Sequence, residues 1–138
     1  MENLRELYNQ SRIIQDKFTY FLLAVAASAI AFSIEKVSDK NFSFSLIILG
    51  IALLLWGISF YCGCMNIKYV CSTIYENYGL VQTESGENKE IPNHPEYIKA
   101  ATDGIRLAME HNSEKANKYA NWQFKILIFG VIFYIIWQ

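Results

Sequence analysis

The sequence is poor in what breaks helices and in what builds most active sites. It holds two prolines and seven glycines in 138 residues. Its three cysteines, Cys62, Cys64 and Cys71, make an odd count and show no zinc-like pairing with the two histidines, His94 and His111. Nothing in it has the pattern of a phosphate-binding glycine loop, a nucleophile elbow or a carboxylate pair, so no cofactor and no metal is read from it. Net charge is −1, which gives no bulk electrostatic case for direct binding of nucleic acid or anionic lipid. Charge is also missing from three long runs, residues 18–34, 42–65 and 126–137. No ionisable side chain therefore sits deep in any of them, which argues against a proton- or ion-coupled transporter.

Those runs are the main positive signal. Residues 42–65 are uncharged throughout. At about 1.5 Å per residue they make a helix of roughly 36 Å, enough to cross a ~30 Å hydrocarbon core with some tilt. A soluble core helix of that length would carry a polar stripe. The first run follows a helical head and lacks a small-residue cleavage site before Glu35 and Lys36, so it is read as a span and not a cleaved signal. The expectation is an all-α membrane protein, a single membrane domain over residues 1–138. Spans are expected near 18–34, 42–65 and 122–137. Each continues into an amphipathic helix, near 3–17, 66–78 and 94–121.

In the head, Leu4, Leu7, Ser11, Ile14 and Phe18 recur at steps of three and four, and Asn3 with Glu6 matches a capping box. No Pro or Gly separates the head from the first run, which predicts one helix over about 3–35. Within it, Ala24/Ser28 and Ala27/Ala31 are small-xxx-small pairs suited to close helix contact. Residues 35–41 form a short polar reversal, so the second helix returns antiparallel, starting near Asn41 or Phe42. Past the membrane it keeps a stripe of Ile67, Val70, Cys71, Ile74 and Tyr78, with Gly79 as the expected C′ stop. Residues 80–93 read as a polar loop. Asn93 with Glu96 and Pro95 marks the next helix start. Ile98, Ala101, Ile105, Ala108, Asn112, Ala116 and Tyr119 then follow helical steps into the last run, bracketed by Trp122 and Trp137 at about 22 Å separation.

Lys and Arg set the expected orientation. The head carries three and residues 66–121 carry six, against two in the link. With three spans the first two segments share a side. That side is then the cytosol, with the C-terminus outside.

The sharpest chemical pattern is Arg106–x4–His111. Arg can stabilise an anionic phosphorane and His can move protons near neutral pH. Five residues set the two side chains about 140° apart on a helix. Arg106 also has Asp103 and Glu110 at ion-pairing spacing. Asn112, Asn117 and Asn121, with Ser28, are candidates either for a pore lining and assembly or for ordinary inter-helix hydrogen bonds. Thr19, Ser33, Ser45 and Ser59 carry the same two readings. Cys62 and Cys64 lie two apart, poor geometry for one metal, and read as small packing residues.

Several segments carry a resemblance. Gln15, Phe18, Tyr20 and Phe21 enter an alanine-rich span. Trp56 to Phe60 read Trp-Gly-Ile-Ser-Phe, His94 to Ile98 read His-Pro-Glu-Tyr-Ile, and Asn121 to Phe124 read Asn-Trp-Gln-Phe. The chain resembles small bacterial three-span membrane proteins, mostly of unassigned function. With Arg106 and His111 it also resembles the membrane accessory proteins of type VI-B CRISPR systems. These carry a motif like that of HEPN ribonucleases, although Leu107 stands where HEPN motifs usually carry a polar residue. That likeness implies a homo-oligomeric pore in the lipid bilayer, working beside an RNA-guided RNase pathway in anti-phage defence. A membrane-tethered RNase using Arg106 and His111 across a dimer is the enzymatic alternative. A passive membrane anchor or interaction module is the third.

Overall fold

A computed structural model describes the backbone of residues 2–37 and 45–138, and the side chains of 13–37 and 46–138. The side chains of Leu4, Leu7 and Ser11, the Asn3/Glu6 capping pair, residues 38–44 with the expected start of the second span, and the side chain of Ser45 lie outside the described residues. The described chain is three α-helices: α1 (Glu2–Val37), α2 (Ser45–Glu84) and α3 (Pro95–Trp137). They hold 36, 40 and 43 residues. At about 1.5 Å per residue each contour length exceeds the ~30 Å of a hydrocarbon core. All three are long and apolar enough to cross a membrane, and only 22%, 33% and 17% of their apolar windows is buried within the protein. Most of that apolar surface therefore faces outward, as lipid contact requires. The described residues thus form three helices able to cross a membrane.

The sequence explains most of the helix ends. α1 runs unbroken because nothing in it interrupts the i→i−4 ladder, and Lys36 lies in its last turn, where a cation complements the helix dipole. α2 does not stop at Gly79, as its sequence suggested. It continues to Glu84, and the Thr83 hydroxyl donates back to the Gly79 carbonyl at 2.8 Å. The true stop is Gly86, whose φ of +73° is the left-handed turn that favours glycine. Gly86 N–H donates to Thr83 O at 3.2 Å, and Glu87 N–H to Gln82 O at 3.0 Å. Those two bonds form a Schellman cap. α3 starts one residue later than the capping-box reading. Pro95 takes the first helical position, and the His94 carbonyl accepts the first helical bond from Ile98 N–H at 3.1 Å.

The chain divides into two compact units. The first comprises residues 1–64 and 119–138, the second residues 65–118. In the first, α2 runs antiparallel to α1 and α3. Its core is Leu22 and Ala26 of α1, Trp56 of α2 and Leu127 of α3, with Val25, Ile30, Leu53 and Tyr134 packed around them. Trp56 is 3% exposed and its ring lies 5.6 Å from that of Tyr134. The indole needs a glycine opposite. A Cβ on Gly130 would stand 2.5 Å from Trp56 Cδ1. The paired small residues Ala24, Ala27, Ser28 and Ala31 are all exposed. The α1 face that packs inside the chain is instead that of Thr19, Leu22, Ala26 and Ser33.

The second unit is an antiparallel hairpin of the far parts of α2 and α3. Its seam is mostly polar. Thr73 and Thr83 of α2 and Thr102 of α3 are buried, and so is the apolar Ala116 of α3. Both threonines on α2 turn their hydroxyls back to carbonyls four residues earlier, which satisfies them without a cross-helix partner.

Candidate functional site

Two clusters bring polar chemistry together, one in each unit. In the hairpin, three pairs join α2 and α3. Arg106 Nη2 lies 2.9 Å from Glu84 Oε1, with both side chains about half exposed or more. This inter-helix partner was not expected from spacing alone, which offered only Asp103 and Glu110 on the same helix. Asn112 Nδ2 donates to Glu76 Oε1 at 2.7 Å. Lys115 Nζ sits 5.4 Å from the centroid of the Tyr69 ring, within cation–π range. His111 is exposed. The structure thus engages Arg106 with Glu84 and leaves His111 on open surface, without bringing the two together. Of the asparagines, Asn112 is partly buried in its bond to Glu76, while Asn117 and Asn121 are exposed, as is Ser28.

Glu76 is a residue that sequence reasoning passed over. Its Oε1 is held by Asn112, and its Oε2 is buried with no hydrogen-bond partner among the described residues. The available signal was its register. Glu76 falls three residues after Thr73, on the packed stripe of α2.

The second cluster lies in the spanning unit. Ser59 is fully buried and donates its hydroxyl to the Gln123 carbonyl at 2.7 Å, tying α2 to α3. The Gln123 side chain is 1% exposed. Neither its Oε1 nor its Nε2 has a hydrogen-bond partner among the described residues. It lies against Gly63 of α2, beside Leu23 of α1. A Cβ on Gly63 would stand 2.5 Å from Gln123 Nε2 and 2.7 Å from Leu23 Cδ2. Gly63 is therefore the one residue type that leaves room for the amide. Cys62, adjacent on the same buried stretch of α2, is 6% exposed, while Cys64 and Cys71 are exposed free thiols. Gln123 too was legible only through register. It follows Ala116 by seven residues and precedes Leu127 by four, which sets it on the packed face of α3.

An unpaired buried amide is costly, because its packed surroundings return no donor or acceptor in exchange for the water it loses. The cluster is a polar point held dry by three helices. Among the described residues no group of His, Cys, Asp and Glu is placed to hold a metal ion. No family model, curated protein or solved structure matches the chain.

Proposed function

We propose that this protein is an oligomeric effector of the bacterial inner membrane that forms a pore, or otherwise depolarises the membrane, in anti-phage defence. The observation that carries the reading is the contrast between a filled centre and open flanks. Trp56, Leu22, Ala26 and Leu127 fill the middle of the spanning unit, so one copy encloses no aqueous path. Yet at most a third of any apolar window is buried. Conduction then requires a ring of copies. Surfaces for close approach are at hand in exposed Ala24, Ala27, Ser28 and Ala31 on α1, and in Gly50 and Gly57, where an added Cβ would meet nothing within 4 Å.

In this reading the hairpin and the head of α1 lie in the cytosol and the C-terminus lies outside, as the Lys and Arg distribution favours. The anti-phage setting, and any link to an RNA-guided RNase, come from the resemblance of the sequence. Arg106 is tied to Glu84, and His111 stands apart from it, so the tethered-RNase alternative gains no specific support.

The test is membrane potential, read by dye in bacteria expressing the full chain, alongside particle mass in mild detergent. Depolarisation with a multimeric particle is the expected outcome. A monomeric particle and an unchanged potential, with membrane insertion verified, would overturn the reading in favour of a passive anchor.

A further inference from the structure

We propose that Gln123 and Gly63 form a hydration switch inside the spanning unit: the Gln123 amide is sealed dry in the packed state and is solvated when α3 separates from α2. Three observations carry it. The amide is 1% exposed and both of its polar atoms are unpartnered among the described residues. A Cβ at residue 63 would displace it, standing 2.5 Å from Gln123 Nε2. The polar tie from Ser59 to the Gln123 carbonyl uses main chain and leaves the amide unsatisfied.

The energetic consequence is directional. The packed state bears the desolvation cost of an amide with no partner. A separated state that admits water bears none of it. Gln123 therefore holds the packed state closer in free energy to a hydrated one than an apolar residue of similar size would. A perturbation acting on only one of two states shifts the balance between them. The two partners of the contact accordingly push in opposite directions. Gln123→Leu removes the penalty and favours the dry state. Gly63→Ala drives a methyl group against the amide and favours the hydrated state. Use of this switch as a gate rests on the pore reading above; the switch itself does not.

Cys62 is a native reporter, because it is buried next to Gly63. With Cys64→Ser and Cys71→Ser in the full chain, it is the remaining thiol. Its rate of modification by a small water-soluble maleimide, in nanodiscs, reads how often water reaches the seam. We expect Gln123→Leu to lower the rate about tenfold, the size of effect an unpaired buried amide carries, and Gly63→Ala to raise it about tenfold, the size of an overpacking cost. Helicity by circular dichroism identifies any variant that fails to fold. The double variant Gly63→Ala/Gln123→Ala, which removes the amide but leaves the methyl against Leu23, should lower the rate from that of Gly63→Ala. Equal Cys62 rates in the folded parent and Gln123→Leu would overturn the switch. So would a faster rate in Gln123→Leu, which marks the glutamine as ordinary packing. Conductance recorded on the same samples separates the two ideas. Cys62 rates ordered as expected without conduction would sink the pore reading and leave the switch standing. Conduction with unmoved Cys62 rates would do the reverse.

Discussion

Three glycines of the spanning unit test whether its packing is as described. Gly130 faces Trp56 so closely that an added Cβ would stand 2.5 Å from Cδ1, while at Gly50 and Gly57 a Cβ would meet nothing within 4 Å. Replacing glycine by alanine in a helix gains about 0.8–1.0 kcal/mol from propensity at all three sites. At Gly130 alone it also forces a buried indole out of place, an overpacking cost of about 1–3 kcal/mol. The propensity gain cancels in the comparison of Gly130→Ala with Gly57→Ala. Their difference isolates the packing cost, so Gly130→Ala should be the less stable by about 1–3 kcal/mol. The assay is reversible unfolding by sodium dodecyl sulfate in mixed micelles, at dilution that keeps the chain monomeric, followed by far-ultraviolet circular dichroism. Trp56→Phe in the Gly130→Ala background should recover part of the loss, since the smaller ring vacates the space the methyl needs. Equal stability of the Gly130→Ala and Gly57→Ala proteins would refute the close approach of α2 and α3 at this level.

Other expectations follow from the hairpin. Asn112→Ala should cost about 1–3 kcal/mol, because it strips the donor that Asn112 supplies to a partly buried carboxylate. Replacing Glu76 and Asn112 together by leucine should cost much less, and a double-mutant cycle by thermal unfolding reads the difference. Arg106→Ala should change stability by no more than about 1 kcal/mol, since its pair with Glu84 is largely solvated; a larger loss in denaturant titration would mean that Arg106 has a further role. Gly86→Ala should destabilise the end of α2 by about 1 kcal/mol, because alanine is strained at a φ of +73°. Hydrogen exchange of the amides of residues 80–87 should then rise, and unchanged protection would argue against the Schellman cap.

The sequence legibly carried three helices, their continuity and their apolar runs. Those features are local: an uncharged run of helical length and the absence of breakers act through neighbouring residues of one chain. Helix ends were less legible. Gly79 looked like a stop because glycine ends many helices, yet glycine also sits inside them at a cost of only about 1 kcal/mol. Gly86 became the stop because the chain there takes the left-handed turn that both capping bonds require. The small pairs of α1 show the same limit. Spacing put Ala24 with Ser28 and Ala27 with Ala31 on common faces, and it could not say which face meets α2 and α3.

What the sequence determined by itself is thus one-dimensional: all-α character, three segments able to cross a membrane, and polar stretches between them. Only tertiary structure decided which side chains meet. It joined Arg106 to Glu84 and Asn112 to Glu76, across gaps of 22 and 36 residues, and it set Gln123 against Gly63. Each pair depends on the relative rotation of the helix segments within its own unit, as the approach of Trp56 to Gly130 does in the first. A helix repeats every 3.6 residues whatever it packs against. Its sequence periodicity therefore defines faces, and only the packed neighbours choose among them.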